Sequence, residues 1–221
     1  MASEVEICNL ALGNIRARSI NSLDEPSVQA QTCKLRYPLM RDFLLKNHPW
    51  QFAHGLKPLS VLTVQLFNRA YAYQYPADCL HINRLVGGYE EVDLTDGTTV
   101  VSQYRPWAEQ FVSADELRQQ IPYEVFNSDD NQVIGADEAE LRIDYRRKVT
   151  DPNLFSSAFI VALSHLLGAE IAIPIVGSEL GRTLRSDSYT LYQSYIDNAS
   201  MNDMNEQYHP PGNSEYVNIR R

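Results

Sequence analysis

The sequence predicts an α+β fold: a helical bundle core over residues 1–49 and 150–207, an antiparallel β-rich insertion over 50–149, and an extended tail over 208–221, forming a single domain. Three observations predict it. Apolar residues recur at helical spacing at both ends of the chain, the spacing changes to alternation in the middle, and the stretch after His209 opens with Pro210-Pro211-Gly212, which no helix continues through.

The first helix is expected from about Glu4 to Ile15. Ser3 and Glu6 fit a capping box, and Ile7, Leu10, Ala11 and Asn14 follow on one face. Helix two begins at Pro26, whose fixed φ suits a first turn. Ala30, Cys33, Tyr37, Met40 and Leu44 form its apolar line, with Gln29, Lys34, Arg36 and Arg41 mostly off it. Pro38 should kink or split it, and His48-Pro49 should end it.

From Trp50 and Phe52 onward the pattern alternates, with short apolar stretches at Leu59–Val61, Leu80–Ile82, Val100-Val101 and Glu124–Phe126. Gly87-Gly88, Asp96-Gly97 and Ser128-Asp129-Asp130-Asn131 are the turns between them. In the clearest strand Leu141, Ile143 and Tyr145 share a buried face, leaving Arg142, Asp144 and Arg146 on a wet one. Asp151 and Pro152 then read as the cap and first residue of a helix that is apolar on nearly every side and so belongs in the core. Pro174 interrupts it. Ser178 caps a final helix, running toward Gln207, with Leu180, Leu184, Leu191 and Tyr195 facing inward.

Composition narrows the function. The chain has 28 acidic and 19 basic residues among 221, a net charge of -9. That balance disfavours a protein held mainly to nucleic acid, which neutralises phosphates with clustered lysine and arginine. No apolar run approaches the roughly 20 residues of a membrane span, because Ser164, His165, Glu170 and Pro174 interrupt the stretch 159–175. The acidic N-terminus lacks the positive region of a secretory signal. Cys8, Cys33 and Cys79 are far apart and read as reduced thiols.

Candidate chemistry is sparse. No Gly-x-Ser-x-Gly elbow occurs, and the segment from Gly177 to Gly181 puts Glu179 where a phosphate cradle needs a donor. His48, His54, His81, His165 and His209 never stand four residues apart, so no metal or cofactor is expected, and His165 reads as a hydrogen-bonded core residue. The carboxylate pairs Glu90-Glu91, Asp129-Asp130 and Asp137-Glu138 lie in turn-like stretches and read as solvated loops. The partner-interface candidates are therefore Tyr71, Tyr73 and Tyr75 on one strand face, the basic Arg146 and Arg147, and the tail residues Tyr216, Val217, Ile219, Arg220 and Arg221.

Several segments together resemble a known family. Asn9-Leu10-Ala11-Leu12-Gly13, Leu23-Asp24-Glu25-Pro26-Ser27, Leu39–Leu44 leading to Trp50-Gln51-Phe52-Ala53, Tyr75–Leu80, and Leu141–Tyr145 followed by Val149–Phe155 occur in an order that is similar to the head-to-tail adaptors of tailed bacteriophages, the tail tubular protein A type of short-tailed phages. The resemblance runs from Ile7 to about Gln207. It implies a non-catalytic structural protein of the virion tail, assembled in the host cytoplasm. It also implies a homo-oligomeric ring, commonly of twelve copies, between the portal protein and a tail nozzle of the tail tubular protein B type. DNA would pass through the channel without sequence-specific binding, no membrane would be involved, and net acidity suits a lumen that must not grip phosphates. The tail, about 45 Å when extended at ~3.3 Å per residue, could reach a neighbour in such a ring. Two other readings stay open: a tail accessory protein with peptidoglycan-hydrolase activity, and a regulator reading duplex DNA through Gln29, Gln31, Lys34 and Arg36 of helix two.

Overall fold

A computed structural model describes residues 3–87, 121–128 and 131–206, and the fold is α+β. In chain order it has helices α1 (Glu4–Asn14) and α2 (Val28–Asn47), strands β1 (His54–Pro58), β2 (Val61–Leu62), β3 (Tyr71–Gln74), β4 (Cys79–Val86), β5 (Tyr123–Ser128), β6 (Asn131–Ala136) and β7 (Arg142–Arg147), and helices α3 (Ser157–Val176) and α4 (Ser178–Glu206). It divides into two compact units, a helical one of Met1–His54 with Arg146–Gln207 and a β-rich one built on Gly55–Tyr145. The turns at Gly88 and Asp96-Gly97, the stretch Val100-Val101 and the C-terminal tail lie outside the described residues.

In the helical unit α3 is the common partner, packing against α1, α2 and α4. Ten of its residues, from Phe159 to Ala172, are buried. At 20 residues and a mean hydropathy of 2.0 it is long and apolar enough to cross a membrane, contrary to the reading that the polar interruptions shorten it. The helix starts later than expected. Asp151 and Pro152 form a 3-10 turn, Pro152–Leu154, with Asp151 accepting from the Asn153 N–H, and Ser156 is the true cap, its hydroxyl accepting from Phe159 N. Pro174 sits inside the last turn; the chain breaks at Gly177, whose φ of 97° belongs to the left-handed region. Gly177 also accepts from Gly181 N, so Gly177, not Ser178, occupies the capping position of α4.

The Ser3–Glu6 capping box is present in full. Asn9 then fastens the loop after α1, accepting from Ile20 N and donating to Ile20 O. Leu10, expected to face inward, is half exposed; Ile7, Cys8, Ala11 and Leu12 make the buried face. The Cys8 thiol touches Cys33 of α2, and that contact together with burial pushes it above the usual thiol range. Helix α2 is capped by Ser27 and starts at Val28, two residues after the expected start at Pro26, and runs unbroken through Pro38. Pro38 and Lys34 are both exposed, so water can reach the carbonyl that proline leaves without a donor.

Trp50 and Phe52, expected to open the β region, belong to the helical unit. A 3-10 turn at Gln51–Ala53 lets both rings pack with Phe155 and Phe159, and the Trp50 indole donates to Leu44 O at the end of α2.

The β-rich unit has a three-stranded sheet in the order β1-β7-β4 and a four-stranded one in the order β2-β3-β6-β5. In the second sheet all three pairings are antiparallel, and Ser128 pairs with Asn131 across the turn that the sequence marks. Leu141, Ile143 and Tyr145 are buried as expected, with Leu59, Tyr73, Ile82, Leu85, Ile134 and Ala136. Asp144, expected on a wet face, is 8% exposed, because Asn83 and Arg84 of β4 both donate to it.

Close approach of α4 to α3 requires small residues. A Cβ on Gly181 would lie 2.9 Å from Ile173 Cα and 3.0 Å from Ala172 O, whereas one on Gly13 would meet nothing within 4 Å. Gly181→Ala should therefore destabilise by about 1–3 kcal/mol although alanine is the better helix former. Gly13→Ala should stabilise by up to about 1 kcal/mol. Denaturant midpoints of the two variants check both signs.

Candidate assembly surfaces

Helix α2 is apolar on two opposite sides. Ala30, Cys33, Tyr37 and Leu44 are buried, Met40 is half-buried, and Val28, Leu35, Leu39 and Phe43 stand 50–67% exposed half a turn away. Thr32 continues this outer line, its hydroxyl donating to Val28 O. Only the inner line is expected above; the outer one has the same i, i+4 signal and is a second set of apolar residues between the first.

Arg41, expected off the core, is 5% exposed. It pairs with Asp42 at 2.8 Å over the Tyr37 ring, and Asp42 also takes Lys148 at 2.8 Å. Arg146 and Arg147, proposed as partner contacts, are half-buried and spend hydrogen bonds on carbonyls. Arg146 donates to Lys46 O in the last turn of α2, and Arg147 donates to Phe52 O. Such donors satisfy orphan acceptors at a helix end, and this local duty accounts for both residues.

On α4 the expected inward set is mostly wrong. Gly181, Leu184, Ser188, Tyr192 and Ala199 are buried, whereas Leu180, Leu191 and Tyr195 are 39–50% exposed along the flank. Tyr195 stacks on His165, with ring centroids 5.2 Å apart. His165 is thus held by stacking; its buried Nδ1 has no hydrogen-bond partner among the described residues, contrary to expectation. Burial pushes its pKa below the ordinary value.

The tyrosines of β3 divide. Tyr71 is 37% exposed and Tyr75 is half-buried, but Tyr73 is fully buried and donates to Glu138 O at 2.6 Å, so it is a core residue and not an interface one. Tyr216, Val217, Ile219, Arg220 and Arg221 lie outside the described residues, as do the pairs Glu90-Glu91 and Asp129-Asp130.

The remaining charged clusters are structural ties. Arg69 bridges Glu124 at 2.8 Å and Asp137 at 2.7 Å, and its hydrogen bond holds the Asp137 carboxyl below the usual range, helped by the Ala70 N–H. Burial alone would raise Asp78, but hydrogen bonds from Lys57 and Tyr145 more than offset it and lower its pKa. Among the described residues no group of three His, Cys, Asp or Glu could hold a metal ion. Compared with models of known families and with curated proteins, the chain has no match in either.

Two measurements check these placements. Tyr73→Phe should cost about 1 kcal/mol through the lost hydrogen bond, while Tyr71→Phe should leave stability within ~0.5 kcal/mol. His165 has a folded pKa below its unfolded one, so its contribution is fully present above pH 6.5 and is lost as pH falls through the lower folded value. The denaturant midpoint should fall between pH 7.5 and 5, and His165→Gln should make that fall shallower.

Proposed function

We propose that this chain is a head-to-tail adaptor of a bacteriophage virion, a ring-forming structural protein between portal and tail nozzle that leaves a channel for DNA. The observation that carries this reading is the outward face of α2. Four large apolar side chains on one helix line, each at least half exposed, make a surface that water disfavours and a partner would cover. The family resemblance supports it, and so does the α+β architecture, in which β strands are inserted between two helical segments. The net charge of -9 is compatible with a lumen that adds little phosphate drag. The product of such a protein is a fitted joint, not a reaction.

Electron microscopy of the purified chain, alone and mixed with the portal of its own virion, tests this. A ring seated on the portal is expected, together with no clearing of a cell-wall suspension in a turbidity assay. A chain that stays solitary beside the portal, or that lyses cell walls, defeats the reading.

A further inference from the structure

We infer that the outward face of α2 is covered by α4 of a neighbouring copy of this chain, the two helices lying parallel and in one register. The inference rests on the ring reading and names the contact that would close it.

The two helices carry lines of identical pitch. On α2 the line is Val28, Thr32, Leu35, Leu39, Phe43; on α4 it is Leu180, Leu184, Asp187, Leu191, Tyr195, with the same successive steps of four, three, four and four residues. Leu184 is taken by the α4 inner face, which leaves Leu180, Leu191 and Tyr195 half exposed. Setting Val28 beside Leu180 brings Leu39 to Leu191 and Phe43 to Tyr195, so the exposed apolar groups meet at three levels.

Charge selects the direction. In that parallel register Arg36 lies within one residue of the level of Asp187, and Lys46 within one residue of Asp197, an offset of about 1.5 Å along the axis. None of these four side chains has an ion-pair partner among the described residues. An antiparallel alignment of the same lines keeps only Arg36 with Asp187 and throws Lys46 past the start of α4. In the parallel pairing Arg36 and Asp187 also fall on the same side of the seam, whereas in the antiparallel one they fall on opposite sides.

The same copy cannot supply this cover. Its α2 and α4 both pack on α3, and the outward line of α2 lies half a turn from the line buried there. A second copy offers the complementary flank while its own α2 remains open for a third, which is the heterologous arrangement that rotates into a ring.

The test uses the full chain and exchanges the charges. Arg36→Glu and Asp187→Arg should each weaken association between copies at least tenfold in sedimentation, with thermal midpoints near wild type because neither side chain has an ion-pair partner among the described residues. The double variant should recover to within about threefold of wild type. Singles that assemble normally, or a double no better than either single, would overturn the contact; if those variants still seat rings on the portal, the adaptor reading survives its failure. Loss of portal binding with copy-to-copy association intact assigns the α2 face to the portal and likewise refutes the proposal. A wild-type chain that forms no assembly, even with portal present, sinks both.

Discussion

The helical unit depends on keeping water from α3. A 20-residue helix with apolar side chains on nearly every side cannot be covered by any one neighbour, so α1, α2 and α4 are all recruited to it. That requirement explains why segments far apart in sequence share one unit: residues before His54 supply two of the covering helices and residues after Arg146 supply α3 and the third. It also explains the aromatic group at the end of α2, where Trp50 and Phe52 turn back onto Phe155 and Phe159 before the chain leaves for β1.

Covering one helix with three leaves each cover with an outer side. Most of that outer surface is polar, as hydration favours. Helix α2 departs from this, and its outer apolar line cannot be an accident of core packing, because the inner line already fills the contact with α3. On α4 Gly181 allows close approach to α3, and Leu180, Leu191 and Tyr195 lie along the flank.

What was legible in the sequence was local. The capping box of α1 lies within four residues and is right in detail, and the alternation of Leu141, Ile143 and Tyr145 marks the buried face of its strand correctly. Errors arose where distant residues decide. Asp144 is buried by Asn83 and Arg84, 60 residues earlier, and no spacing rule anticipates that. Asp151 and Ser156 are equally good caps by chemistry; burial of Phe155 and Phe159 selects the later start. On α4 the large apolar residues suggest the core face, yet the buried face includes Gly181, whose close approach to α3 carries no hydrophobic signal to read. Of the candidate interface, Tyr73, Arg146 and Arg147 proved to serve their own unit, and the α2 line went unseen because one apolar stripe is enough to explain a helix.

Two unlike apolar faces on one unit carry a geometric consequence. A twofold dimer built on the α2 face alone would need that face to complement itself, and Val28, Leu35, Leu39 and Phe43 beside Arg36 would then oppose cation to cation. Meeting the flank of α4, with Asp187, replaces that repulsion by attraction but leaves one face of each kind open at the ends of any finite row. Only a closed row removes both open ends. Every added copy then gains the same contact, and the last one gains two, so closure is favoured over any open intermediate of the same length. The proposed adaptor role would draw on that bias, since a partial ring would neither seal a joint nor centre a path through it.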